Sequence, residues 1–122
     1  MAVLRSAYFA FALIAAPAAH AAQFVPPATC PADLAAVDAS FVETQDRLHK
    51  AAVADQAEKC AAIRHHVEVM ANGINVFQRC LEEGHDKGEN IAQLGASIAD
   101  FLDISDAQGC ERFPLPKLDL PQ

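Results

Sequence analysis

From Ala32 to Leu81 the chain has no proline and only one glycine, Gly73. Fifty residues without another breaker exclude a succession of tight turns and short strands, and alanine, glutamate and other strong helix formers fill the stretch. Basic residues are also scarce, with nine Lys and Arg against sixteen Asp and Glu. A chain this acidic does not track nucleic-acid phosphates or anionic lipid surfaces by long-range attraction. Past the N-terminal segment no apolar run reaches the roughly 20 residues a membrane-spanning helix needs. Several chemical signatures are missing too. There is no C-x-x-C, no phosphate-binding glycine loop, no zinc spacing and no G-x-S-x-G. "DKGEN" (87–90 with Asp86) lacks the alternating acidic ligands of a calcium loop. Glu82 and Glu83 are adjacent, so on a helix they point about 100° apart and do not form a catalytic pair. No catalytic residues and no cofactor are expected.

What is present begins with "MAVLRSAYFAFALIAAPAAHAAQF". Arg5 precedes an apolar run from Ala7 to Ala16, Pro17 breaks it, and Ala19 and Ala21 put small residues where a signal peptidase reads. This is the order of a secretory signal peptide, expected over residues 1–21. Cleavage there leaves Ala22 to Gln122 with eight Lys and Arg, a formal charge of −8. The expected product is exported, periplasmic or secreted, with no membrane span after cleavage. Its helical domain is expected over 22–110 and a Pro-rich tail over 111–122.

Apolar residues then recur at helical spacing. Cys60, Ile63, Val67, Met70, Ile74, Phe77 and Leu81 alternate steps of three and four, a seam sustained over three heptads. A second seam runs Leu34, Val37, Phe41 and Leu48, with Thr44 or Gln45 as its weak link. A third runs Ile91, Leu94, Ile98 and then Phe101 or Leu102. Asp55 followed by Glu58 reads as a capping box, placing a turn near Ala54 and a helix start near Gln56. "EEGHDKGEN" (82–90), with two glycines, separates the second and third helices. "CERFPLPKLDLPQ" carries prolines at 114, 116 and 121 and suits an extended tail, either packed along a groove through Phe113, Leu115 and Leu118 or free as a flexible recognition segment, with partial packing near its start and fraying at its end as the favoured expectation.

Four cysteines in a short exported chain read as a disulfide framework. Cys60 and Cys80 lie about 30 Å apart along an intact helix, beyond the ~7 Å limit of a bridge. In an antiparallel hairpin, paired residues are equidistant from the turn. The midpoint of 30 and 80 is 55, and that of 60 and 110 is 85; both fall on turns inferred independently. Pairing 30 with 60 and 80 with 110 puts the midpoints inside helical seams. The expected fold is therefore all-α, a small antiparallel three-helix bundle running up-down-up, stapled by Cys30–Cys80 and Cys60–Cys110, with an extended Pro-rich C-terminal tail.

With Cys60 bridged, the cluster in "KCAAIRHHVEVM" (59–70) loses its thiolate. His66 and Met70 share a helix face and, with His65 and His85 as further donors, make the metal-handling alternative for copper or zinc. The simpler expectation is a core methionine, one surface imidazole at His65 and one boundary imidazole at His66, with His49 and Lys50 serving the end of the first helix. The outer acidic faces suit a soluble monomer, or a basic protein partner. In size, helix content and cysteine number the chain is similar to small exported helical proteins of Gram-negative bacteria, several of which bind or protect other periplasmic proteins. That similarity implies a non-enzymatic binding or envelope-protective role with an unknown protein partner. A thiol-redox protein is the third alternative, and it requires an unpaired or labile cysteine.

Overall fold

The computed structural model describes residues 23–119. The expected signal peptide lies outside them, as do the last three residues of the tail. Three helices follow in order: α1 (Cys30–Ala51), α2 (Gln56–Cys80) and α3 (His85–Ala107). They form the antiparallel three-helix arrangement expected, with no strand among the described residues. Both disulfides connect as the hairpin geometry requires, Cys30 to Cys80 and Cys60 to Cys110.

Local chemistry sets the boundaries. Pro31 falls in the first turn of α1, where a missing N–H costs nothing, and Asp33 there and His49 and Lys50 in the last turn complement the helix dipole. The Asp55 side chain accepts a hydrogen bond from the Glu58 backbone N–H at 2.9 Å, so α2 starts at Gln56 as the capping box indicates. Glu58 does not complete the box. Its carboxylate turns to the Arg47 guanidinium, at 2.9 and 3.3 Å, and ties α1 to α2. The arrangement past α2 differs from the expectation. The turn is only Leu81–Gly84, and residues 85–90 are already helical, Gly88 included. A helix interior tolerates one glycine for about 1 kcal/mol, and Lys87 beside it ties this first turn back to α2. Its Nζ is buried and donates to the Gln78 carbonyl at 2.8 Å and to Glu83 at 2.5 Å. A cation thus covers one of the last carbonyls of α2.

α3 ends on Gly109, whose φ of +72° only glycine adopts readily. The Cys110 N–H bonds to the Ser105 carbonyl and the Gly109 N–H to that of Asp106, both at 3.0 Å, a Schellman closure that swings Cys110 towards Cys60. Because Cys110 lies beyond the helix end, the midpoint of its loop falls just past the turn.

α2 is the centre. α1 packs on one side of it and α3 on the other, and the α1 and α3 backbones do not pack on each other. One buried stripe of α2, Val67, Met70, Ala71 and Ile74, meets Ile98, Leu94 and Phe101 of α3. Val76 and Cys80 meet Cys30, Val37, Leu34 and Phe41 of α1. At Gly73 a side chain from each flanking helix closes on α2. A Cβ there would stand 2.8 Å from Phe41 Cζ and 3.2 Å from Leu94 Cδ1, so the absence of a side chain lets both rings and branches close over α2.

The tail is a fourth packed element. It runs in the same direction as α2, held at its start by Cys60–Cys110. Phe113 and Leu118 pack on the α2–α3 core, and the Arg64 guanidinium lies 5.4 Å from the Phe113 ring centre. Leu115 stays 54 % exposed, contrary to the expectation that it packs. Near its end the tail does not fray as far as it is described. Asn75 donates from Nδ2 to the Lys117 carbonyl at 3.0 Å, and its Oδ1 accepts from the Asp119 N–H at 2.7 Å. Lengths agree: Cys60 to Asn75 is about 22 Å of helix, and eight extended residues from Cys110 to Leu118 cover about 25 Å.

Candidate functional site

At the end of the bundle remote from Cys30–Cys80, α1 and α3 stand apart over α2 and leave an open apolar groove of about 410 Å³. The sequence of α1 explains the gap. Its inward positions run Val37, Phe41, Thr44, Leu48 and Ala51, so the last of them carries only a methyl group. Phe41 fills the space over α2 at Gly73, whereas Ala51 and Ala52 line the open groove. Leu48 and Ala52 form one wall, Ile63 the floor, and Phe101 and Ile104 the other wall. Ile104 is 43 % exposed, so an isoleucine faces solvent inside an apolar depression. Lys59 lies at the rim. Such a volume falls within the ~300–1,000 Å³ common for small-molecule sites.

Beneath the groove lies the one histidine the fold buries among the described residues. His66 is 8 % exposed, and its Nδ1 stands 3.2 Å from the Oγ1 of Thr44, which is fully buried. The ring packs on Phe101 at 4.3 Å between centres, and Phe101 forms the groove wall. The expectation of a boundary imidazole is therefore corrected, because α1 covers the stripe on which His66 lies. Thr44, the weak link in the α1 seam, is the polar partner that a buried ring nitrogen requires. Burial lowers the His66 pKa, and the neighbouring His65 adds to the effect. The unfolded chain takes up a proton near pH 6.5 and the folded ring only below that. Stability is thus full above 6.5 and declines as the pH falls from there towards the depressed folded value. Thermal melts from pH 7.5 to 5.5 are expected to show this decline and His66→Gln to flatten it; parallel profiles for the two proteins would remove His66 as the cause.

The other residues singled out in the sequence do not converge. Met70 is buried in the α2–α3 core. His65 is half-buried on α2. His85 opens α3 beside Glu89, 3.3 Å away, at the far end of α2. His66 and Cys80 are about 21 Å apart by helix rise, so His85 and His66 occupy different ends of the molecule. Cys30, Asp33 and Cys80 do cluster, but both sulfurs are in a disulfide and Asp33 faces Arg79 at 3.6 Å. No cysteine is free, so the unpaired thiol that thiol-redox chemistry would use is missing. The groove itself escaped the sequence reading, since it arises between helices that are not consecutive. Its only trace is the run of alanines, Ala51, Ala52 and Ala54, at the end of an otherwise bulky seam. No protein-family model matches the chain, and no curated protein or solved structure is detectably similar to it.

Proposed function

We propose that the chain is an exported, non-enzymatic binding protein that works through the groove between α1 and α3. The observation that carries this reading is the groove itself, an apolar depression with Ile104 open to solvent on a scaffold cross-linked at both ends. Two disulfides fit a compartment outside the reducing cytoplasm, and no helix among the described residues is long and apolar enough to cross a membrane. The tail, pinned by Phe113 and Asn75, belongs to the scaffold rather than to a free recognition segment.

The neutral fluorescent probe N-phenyl-1-naphthylamine tests it. Saturable uptake is expected with one site per chain, and Ile104→Asp should abolish it while leaving the helical circular dichroism intact. Ile104 is exposed enough for the substitution to leave the core untouched. Absence of uptake by the wild type, or equal uptake by the variant, counts against the groove as a binding surface.

A further inference from the structure

The rim of the groove carries a positive charge that the protein itself leaves unanswered. Eight Lys and Arg fall among the described residues. Six of them face a carboxylate within 4.0 Å: Arg47, Lys50, Arg64, Arg79, Lys87 and Arg112. Lys59 and Lys117 have no such partner among those residues. In a chain with sixteen acidic groups, an unpaired lysine is the exception, and Lys59 stands where the apolar groove opens. The adjacent carboxylate, Glu58, is turned away and held by Arg47. Lys59 is half-buried and lines the groove, and a lysine so placed packs its methylenes on apolar surface while keeping its ammonium in water.

We propose that the groove takes a single-chain anionic amphiphile, its hydrocarbon chain along Ile63, Phe101 and Ile104 and its carboxylate-like head against Lys59. This rests on the groove being the binding surface and names what occupies it. The lining along α3 from Phe101 to Gln108 is about 10 Å long by helix rise, which suits a chain of medium length. The overall charge sharpens the assignment. A protein at −7 repels anions generally, so a preference for an anionic over a neutral amphiphile has to come from a local cation.

The test is displacement of the neutral probe by decanoate, decanol and decyltrimethylammonium, each below its micelle concentration. Decanoate should displace at roughly two- to fivefold lower concentration than decanol, the advantage of one partly exposed ion pair, and the ammonium should be weakest. Lys59→Gln should erase the difference between decanoate and decanol, and Lys117→Gln, the other unpaired lysine, should leave it unchanged. Equal displacement by decanol, a stronger effect of the ammonium, or a decanoate preference that survives Lys59→Gln overturns the proposal while probe uptake keeps the groove reading intact. If the wild type takes up no probe, or sedimentation finds the groove closed by a second copy, both fall.

Discussion

Reduction of the two disulfides is expected to lower the melting temperature by at least ~15 °C, and in the fully reduced chain to leave little cooperative transition at all. Each bridge spans a sequence separation of 50. In the chain-entropy model a loop of that size contributes about 4 kcal/mol, against the 5–15 kcal/mol that a small domain has in total. The two loops share residues 60–80, so the contributions are not additive. Even one of them is a large share. The bridges also differ in access. Cys30 and Cys80 are 2 % and 6 % exposed, whereas Cys60 and Cys110 are half-buried. Mild reductant should therefore open Cys60–Cys110 first, read by alkylation and mass spectrometry, and circular dichroism melts of Cys30→Ala/Cys80→Ala and Cys60→Ala/Cys110→Ala should both fall well below the oxidised wild type. A reduced protein melting within about 5 °C of the oxidised one would mean that the three-helix packing suffices alone, contrary to the size of the core.

Gly73→Leu is expected to cost about 3 kcal/mol or more, the upper part of the range for overpacking a core. Glycine to any good helix former gains up to ~1 kcal/mol in an open helix position. At Gly73 that gain is outweighed, because the first added carbon already meets Phe41 Cζ at 2.8 Å and Leu94 Cδ1 at 3.2 Å. Those two side chains come from the two flanking helices, so relieving the contacts means moving both α1 and α3 away from α2. Gly95 supplies the comparison. It lies in α3 with nothing within 4 Å of an added Cβ, and Gly95→Ala should stabilise by up to ~1 kcal/mol. Urea melts of both variants decide the matter. If Gly73→Leu and Gly95→Ala shift the midpoint in the same direction, the notch at Gly73 is not a contact that the fold depends on.

Gly73 also shows why part of the architecture was legible and part was not. The stripe of α2 facing α3 announces itself through Ile63, Val67, Met70 and Ile74, large apolar side chains at steps of three and four. A second stripe with the same spacing, Ala62, His66, Val69, Gly73, Val76 and Cys80, is buried as well. Periodicity does not reveal it, because half its members are small or polar. At Gly73 the member is small because side chains from both flanking helices close over it, and at His66 it is polar because Thr44 answers it. The cap at Asp55 was readable because its chemistry is local. The start of α3 was not, since what holds residues 85–90 helical is Lys87 reaching back to Gln78, a contact between elements. The groove is further still from the sequence, as it depends on where α1 runs out of bulk opposite Ile104.

The interleaving of the two bridges has a consequence for damage to the chain. The first turn, 52–55, lies inside the 30–80 loop, and the second, 81–84, lies inside the 60–110 loop. Val53 is 92 % exposed and Glu83 nearly as open, so these turns are the places a protease can grip. A cut in either turn leaves two pieces that are still one covalent molecule, each held to the other by the bridge that spans the cut. Backbone continuity at both turns is thus dispensable to the covalent unity of the oxidised protein: a clipped molecule gains only the water of each hydrolysis, stays in one piece, and comes apart only when a reductant arrives.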